Sequence, residues 1–194
     1  MALKNLLHRI RPDTGGESHP ERVRVLMVCM GNICRSPTAE GVLRAKLQAA
    51  GLHDRVEVDS AGTHAYHVGH APDPRSVKHA LQRGYDLSGL RARKVQPQDF
   101  SRFDLLLAMD WDNLALLEEA CPTPEQRRRL LRLVAFVPQQ SAWAGAQTVP
   151  DPYYGGPQGF EHVLDLVESA CDGLVLHLKD LIANRDKAQP SGST

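Results

Sequence analysis

The sequence is poor in several features that mark particular classes of protein. Its 194 residues include only four cysteines, too few for a disulfide-rich secreted scaffold. Lys and Arg total 23 and Asp and Glu total 23, so the chain lacks the basic excess typical of nucleic-acid-binding proteins. No apolar run approaches the ~18 residues that a membrane span needs, and the N-terminus predicts no signal peptide. These absences favour a cytoplasmic protein without nucleic-acid or membrane partners, whose cysteines stay reduced.

The segments that are present predict a single α/β domain. Apolar, β-branched runs predict strands at 23–29, 56–59, 103–109 and 132–137. Residues with a 3.6-residue apolar period predict helices at 37–50, 74–83, 113–120, 125–131 and 160–184. Because strands and helices alternate, we expect a doubly wound, four-stranded parallel sheet with helices on both faces.

The composition of the two ends predicts the limits of this domain. Residues 1–21 are expected to form a flexible leader, and residues 185–194 a disordered tail. The domain itself is predicted to span residues 22–184.

The turn after the first strand carries the residues best suited to chemistry. It places Cys29 and Arg35 six positions apart, at the carboxyl end of a strand, where ligands bind in such sheets. The N–H groups of a turn before a helix form an anion-binding nest, and a guanidinium can hold two phosphoryl oxygens. Gly31 is expected to supply unusual backbone dihedrals, while Ser36 is expected to cap the helix that Pro37 begins. The turn therefore predicts a phosphate cradle.

Cys29 is the candidate nucleophile of this cradle. Helix N-termini and nearby cations lower cysteine pKa values from ~8.5 to ~3.5–7.5, which favours the reactive thiolate. The hydroxyl of Ser36 is placed to donate to that thiolate. A lone cysteine in a strand is more often a core residue, but the arginine and the Ser-Pro helix start favour the chemical interpretation.

A second candidate residue, Asp151, lies between Pro150 and Pro152 and is followed by Tyr153 and Tyr154. The leaving group of a phosphomonoester needs a proton, so such an enzyme needs a general acid. The same Asp-Pro pair also fits a simple turn before the last helix. Both interpretations stand on this segment alone.

From about Val23 to Ile182 the sequence resembles the low-molecular-weight protein tyrosine phosphatase family. The matching segments are V-C-M-G-N-I-C-R-S-P-T-A-E at 28–40, D-S-A-G-T at 59–63, V-G at 68–69, D-P-R-S at 73–76, A-R at 92–93, M-D at 109–110 and D-P-Y-Y-G at 151–155. The resemblance implies hydrolysis of phosphotyrosine and aryl phosphate monoesters on a phosphotyrosine phosphatase I-like fold. It implies no metal, no cofactor, and a monomer or weak dimer that acts on a phosphotyrosine protein or a small phosphate ester.

The resemblance also implies roles for individual residues. Cys29 would form a phosphocysteine, Arg35 would clamp the phosphoryl group, and Asp151 would act first as acid and then as base. The implied substrate-binding residues are Met30, Gly31, Asn32, Ile33, Cys34, Ser36, Tyr66, Tyr153 and Tyr154, with Asn32 holding the cradle in its strained shape. Two features depart from the family: the 138–148 loop is longer than expected, and Leu90 stands where a histidine is frequent.

Two other functions share part of this sequence pattern. An arsenate reductase on the same fold needs two further, closely spaced cysteines, whereas a phosphotyrosine-binding module would lack the nucleophile or the acid. His64, His67 and His70 lie in a loop and are more typical of a solvated pocket rim than of a metal site. Because Cys34 follows Cys29 by five positions, we expect peroxide to produce a Cys29–Cys34 disulfide.

Overall fold

A four-stranded parallel sheet forms the centre of the chain in the computed structural model, which describes residues 22–188. The strands are β1 (Val23–Cys29), β2 (Val56–Gly62), β3 (Leu105–Ala108) and β4 (Leu130–Arg132), in the order β2-β1-β3-β4. The helices are α1 (Arg35–Ala49), α2 (Pro74–Gln82), α3 (Asp99–Arg102), α4 (Trp111–Ala120), α5 (Pro124–Arg127) and α6 (Pro157–Ala188). The predicted α/β fold with a parallel four-stranded sheet is confirmed.

Burial on both faces explains why β1 is an almost uninterrupted apolar run. Val25 and Met27 belong to the core that the sheet forms with α1 and α6. Leu26 and Val28 belong to the opposite core, with residues of α3 and α4. A parallel strand covered by helices on both sides needs apolar residues at every position, not at alternate ones.

The topology places the turn after β1 at the point where the winding of the sheet reverses. β1 pairs with β2 along one edge and with β3 along the other, and all three strands run in the same direction. The crossovers that leave these strands therefore pass to opposite sides, which opens a crevice beyond the carboxyl end of β1. Residues 30–34 lie at this end, as the sequence predicts.

The predicted strand at 132–137 is wrong in its position. β4 is Leu130–Arg132, and Leu133–Phe136 forms a 3-10 turn that packs on α6. A short apolar run does not distinguish a strand from a buried turn, and here the edge of β3 pairs with the earlier residues. The predicted helix at 125–131 is correspondingly shorter, since α5 ends at Arg127.

The last helix continues beyond the predicted limit at 184, so residues 185–188 are not part of a disordered tail. Arg185 binds Asp104 at 2.6 Å, and Asp186 binds Arg55 at 2.7 Å, which anchors the last turn to the body of the domain. The proposed leader (1–21) and the remainder of the proposed tail (189–194) lie outside the described residues. Among helices within 22–188, none is apolar and long enough to cross a membrane.

Candidate active site

Three carbonyl groups at the turn after β1 are bonded to neighbouring segments. Backbone N–H groups at 63, 64 and 73 donate to the carbonyl oxygens of Cys29, Met30 and Ile33 at 2.8–2.9 Å. Within residues 22–188, no protein acceptor is bonded to the N–H groups of Met30, Gly31, Ile33 and Cys34. A turn with several unbonded N–H donors is suited to bind an anion.

The Cys29 thiol lies beneath this turn and is held by two contacts. Its Sγ atom lies 3.1 Å from Ser36 Oγ, and the backbone N–H of Asn32 donates to it at 3.3 Å. The predicted capping role of Ser36 is wrong, because α1 begins at Arg35 and its N-cap position is Cys34. The Ser36 hydroxyl is instead directed to Cys29, as the second of its predicted roles requires.

Asn32, not Gly31, adopts the left-handed backbone conformation, with φ at 56°. Its side-chain Nδ2 donates to Ser36 Oγ at 2.9 Å and to Ser60 Oγ at 2.8 Å, while Oδ1 accepts from the Arg93 N–H at 2.9 Å. These three bonds stabilise a conformation that asparagine tolerates better than most residues. Gly31 is required for space instead, because a Cβ atom there would lie 2.9 Å from the ring of His67.

Residues from β2 and α1 support Asn32 from below, and sequence reasoning missed them. The hydroxyl of Ser60 donates to the buried carboxylate of Glu40, whose other oxygen lies 2.6 Å from Arg44. Burial raises the pKa of Glu40, although the Ser60 hydroxyl and Arg44 oppose this effect. β2 extends to Gly62, beyond the predicted limit at 59, and this extension brings Ser60 beside the turn.

The backbone of Arg93 supplies support on the side where Leu90 departs from the family. The Arg93 side chain binds Asp59 at 2.8 Å and Asp99 at 2.8 Å, which fixes the strand-like segment around it. Its N–H is thereby held against Asn32 Oδ1. A main-chain donor thus bonds the Asn32 amide without any ring at position 90.

Arg35 is almost completely buried and its guanidinium is shared by two carboxylates. Nη2 donates to Asp151 Oδ2 at 2.7 Å, and Nη1 donates to Asp110 and to the carbonyl of Val149 at 3.3 Å. Burial opposes the charge, but the nearby Cys29 and both carboxylates outweigh it and raise the pKa of Arg35. The arginine is therefore fully charged and its fork is aligned before any ligand binds.

Asp110 belongs to the matching segment M-D at 109–110, but the sequence alone predicts no role for it. Its Oδ1 accepts from the Asn113 N–H at 2.7 Å, so Asp110 is the N-cap of α4. An aspartate immediately before a helix is a recognisable cap, but its contact with Arg35 depends on the fold.

A cavity of about 250 Å³ opens above Cys29. The predicted residues that line it are Cys29, Met30, Gly31, Ile33, Cys34, Arg35, Tyr66, Asp151, Tyr153 and Tyr154. His67 also lines it and was not predicted to bind substrate, whereas Asn32 and Ser36 lie buried beneath it. Tyr154 is 98% exposed and contacts Tyr153 edge to face, so it forms the outer rim and not an inner wall.

The 138–148 loop does not contribute to the cavity. Trp143 packs against His162 of α6 with the ring centroids 4.7 Å apart, and Ser141 and Ser169 share a hydrogen bond of 2.7 Å. The additional residues are therefore placed against the last helix, away from Asp151.

The fold and this site define an α/β phosphatase with a cysteine at the base of a phosphate-binding loop. The family model "Low molecular weight phosphotyrosine protein phosphatase" matches residues 24–186, and the chain belongs to this family. A Streptomyces coelicolor low molecular weight protein-tyrosine-phosphatase is 43% identical over 162 residues, which cover 84% of this chain and 97% of the relative. The Bacillus subtilis relative YfkJ is 34% identical over 157 residues, or 81% of this chain and 96% of YfkJ.

Solved structures of protein tyrosine phosphatases are also similar to this chain. A protein tyrosine phosphatase from Entamoeba histolytica has a TM-score of 0.76 and 39% identity, with 81% of this chain and 97% of that chain covered. The crystal structure of YfkJ has a TM-score of 0.75 and 33% identity, with 86% and 99% covered. The predicted family and the predicted protein tyrosine phosphatase activity are thus confirmed.

Proposed function

We propose that this phosphatase hydrolyses phosphotyrosine by two displacements at Cys29, with Arg35 as the phosphoryl clamp and Asp151 as acid and base. The observation that carries this proposal is the common cavity, in which the three side chains meet at the turn after β1. The free N–H groups of that turn and the Arg35 fork provide donors for three phosphoryl oxygens.

In the first step the Cys29 thiolate attacks phosphorus and the bond from phosphorus to the tyrosine oxygen breaks. Asp151 donates its proton to that oxygen, so tyrosine leaves as a neutral phenol. The product on the enzyme is a phosphocysteine. The Ser36 hydroxyl, 3.1 Å from the sulfur, stabilises the thiolate before attack and after its release.

Substrate must compete with Asp151 for Arg35. Without a ligand, the Asp151 carboxylate accepts a hydrogen bond from Arg35 at 2.7 Å. A phosphoryl group takes over that donor when it binds, which releases the Asp151 side chain to face the leaving-group oxygen.

In the second step water attacks phosphorus and the bond from phosphorus to sulfur breaks. Asp151, now ionised, accepts a proton from the attacking water, and the Cys29 thiolate is restored. Inorganic phosphate then leaves, and the donors of the turn return to their initial state. The cycle consumes one water and needs no metal or cofactor.

The two alternative functions have less support. Arsenate reduction needs a closely spaced cysteine pair, but Cys121 lies at the end of α4 and Cys171 is buried within α6. A binding module without turnover would not need an acid, yet Asp151 lies in the same cavity as the thiol.

The proposal also covers the location, oligomeric state and substrate of the enzyme. We place the enzyme in the cytoplasm as a monomer or weak dimer without a nucleic-acid or membrane partner. Its substrate would be a phosphotyrosine protein or a small phosphate ester. The open rim, with Tyr66 70% exposed, is accessible to a tyrosine that is part of a protein chain.

The test compares Cys29→Ser with the wild type on para-nitrophenyl phosphate and on a phosphotyrosine peptide. A serine hydroxyl is not ionised at neutral pH, so turnover should disappear while inorganic phosphate still binds. The control is Cys121→Ser, because Cys121 lies outside the cavity and donates to the carbonyl of Thr123, which serine can also do. If Cys29→Ser retains a tenth of wild-type turnover, Cys29 is not the nucleophile.

A further inference from the structure

The two sides of the cavity differ in charge. Residues 60–72, which contribute Tyr66 and His67 to the cavity, contain no Asp or Glu and carry three histidines, His64, His67 and His70. The adjoining residues 87–98 also contain no Asp or Glu and carry basic residues at 91, 93 and 94. The loop that contributes the other side chains, 149–156, carries Asp151 and no basic residue. An anionic group that extends beyond the cavity is therefore attracted to one side of it.

The two acid-free segments form one continuous surface. The Gly69 N–H donates to the Ala92 carbonyl at 2.7 Å, and the Ala92 N–H donates to the His70 carbonyl at 2.9 Å. A bridge between Gly62 and Lys94 joins the segments at their other end. Residues 91–94 are therefore bonded along the loop that carries His67, whereas the Lys94 side chain lines a separate pocket with Thr63 and Phe100.

Most basic side chains of these two segments form no ion pair with a carboxylate of the protein. Arg93 is paired with Asp59 and Asp99, but Arg91 donates only to backbone carbonyls, those at 88 and 90. In the described part of the chain, Lys94 and the three histidines of the loop form no ion pair. Donor side chains without an ion-pair partner beside a pocket are available to a charged ligand.

His67 occupies the innermost position on this surface. It lines the cavity, and its ring lies so close to the phosphate-binding turn that position 31 has no room for a Cβ atom. The ring of His70 follows at a centroid distance of 6.0 Å, farther from the cavity. Tyr66 stacks on His64 at 5.1 Å, which keeps one aromatic side chain beside the entrance.

We propose that His67, assisted by His70, is a specificity determinant that selects phosphotyrosine peptides with an Asp or Glu beside the phosphotyrosine. This inference rests on the proposed phosphotyrosine hydrolysis. When the phenyl ring occupies the cavity, the adjoining peptide residues cross the rim at its edge. An imidazole donates a hydrogen bond in either protonation state, and the surrounding basic groups add attraction for a carboxylate.

The effect is expected in KM and not in kcat. The flanking carboxylate makes the same contact in the ground state and in the transition state, so it contributes uniform binding. Since the contact is exposed to solvent, an acidic peptide should have a KM about two- to fivefold lower than its neutral counterpart.

The experiment uses three phosphotyrosine peptides that differ only in the residues flanking phosphotyrosine, which are Asp, Asn or Lys. Each is hydrolysed by the wild type and by His67→Ala, His67→Lys and His67→Glu, with His53→Ala as the control on a distant exposed histidine. The ratio of KM for the Asn peptide to KM for the Asp peptide is compared within each protein, so that any general loss of activity cancels. The ratio should fall toward one in the Ala variant, which has no donor, persist in the Lys variant and drop below one in the Glu variant.

The outcomes separate the inference from the proposed function. A wild type that hydrolyses none of the peptides would overturn the proposed function, and the selectivity with it. A wild type that hydrolyses all three with the same KM would overturn the selectivity alone. If the His67 variants lower kcat on all peptides and leave the KM ratio at its wild-type value, His67 is merely structural and the inference is wrong.

Discussion

Replacing Asp151 by asparagine should have opposite effects on catalysis and on phosphate binding. The asparagine oxygen can still accept from the Tyr153 N–H, which Asp151 Oδ1 bonds at 3.0 Å, so the loop keeps its turn. The substitution removes the proton donor and also the charge that competes for Arg35. These two losses act on different steps and can be measured separately.

The expected magnitudes follow from the geometry. Loss of a general acid should lower kcat roughly 10²–10⁴-fold on substrates with poor leaving groups. The Arg35–Asp151 pair is at hydrogen-bond distance, but 44% of the Asp151 side chain is exposed, so solvent screening limits its strength to about 1 kcal/mol or less. Without that competition, inorganic phosphate should inhibit the variant at a concentration up to about fivefold lower.

The assay compares alkyl and para-nitrophenyl phosphates, with phosphate inhibition measured on the same preparations. Asp110→Asn is the matched control, because Asp110 also binds Arg35 and its capping oxygen is retained. The Asp151 variant should lose less on para-nitrophenyl phosphate, whose leaving group needs little proton assistance. The Asp110 variant should lose equally on both substrates. An equal loss for Asp151→Asn on both substrates would refute its role as the acid.

Two further predictions concern stability. Gly173→Ala should destabilise the domain by roughly 1–3 kcal/mol, because a Cβ atom there would overlap the Phe136 carbonyl. The free energy of unfolding is measured by urea denaturation. The control is Gly89→Ala, since no atom lies within contact distance of a Cβ atom at position 89. Asp73 caps α2, and its bonds to Arg75 lower its pKa. The stability advantage over Asp73→Asn should therefore be present above pH ~3.9 and disappear as pH falls through the lower, folded-state pKa. An advantage that persists in acid would contradict this.

The location of the candidate site could be predicted where its residues are close together in the chain. Cys29 and Arg35 are joined by one turn, and the strand before them and the helix after them have clear local patterns. Asp151 was identified by its neighbours and by the family resemblance. The local sequence is sufficient to predict such residues, because a single turn brings them together.

The supporting residues could not be predicted, since tertiary contacts bring them together. Ser60 is an ordinary polar residue in a strand, and Glu40 an ordinary acid in a helix, until both meet Asn32. The same contacts explain why the unusual backbone conformation is at Asn32 and not at Gly31. Local rules favour glycine for a positive φ, but the hydrogen bonds of Asn32 stabilise that conformation there. Gly31 instead leaves space for the ring of His67. Tertiary hydrogen bonding thus overrides local propensity at the position where the loop is most constrained.

Formation of the predicted Cys29–Cys34 disulfide requires that the Cys34 thiol ionise. Both thiols are free and line the same cavity. Burial raises the pKa of Cys34 to about 12, so at pH 7 only a very small fraction of molecules carries the thiolate that attacks a sulfenic acid. Because that fraction rises tenfold per pH unit, disulfide formation should gain on irreversible oxidation as pH increases.

The measurement is a brief peroxide pulse at pH 7.0 or 8.5, stopped with catalase and followed by dithiothreitol. Peroxide first converts the Cys29 thiolate to a sulfenic acid; Cys34 then attacks that sulfur, water is released, and dithiothreitol later reduces the disulfide. Wild-type recovery should be greater at pH 8.5, whereas Cys34→Ser should recover poorly at both pH values. Equal recovery of the two proteins would remove the resolving role of Cys34. Wild-type recovery that exceeds the variant's but does not change with pH would show that burial does not limit the reaction.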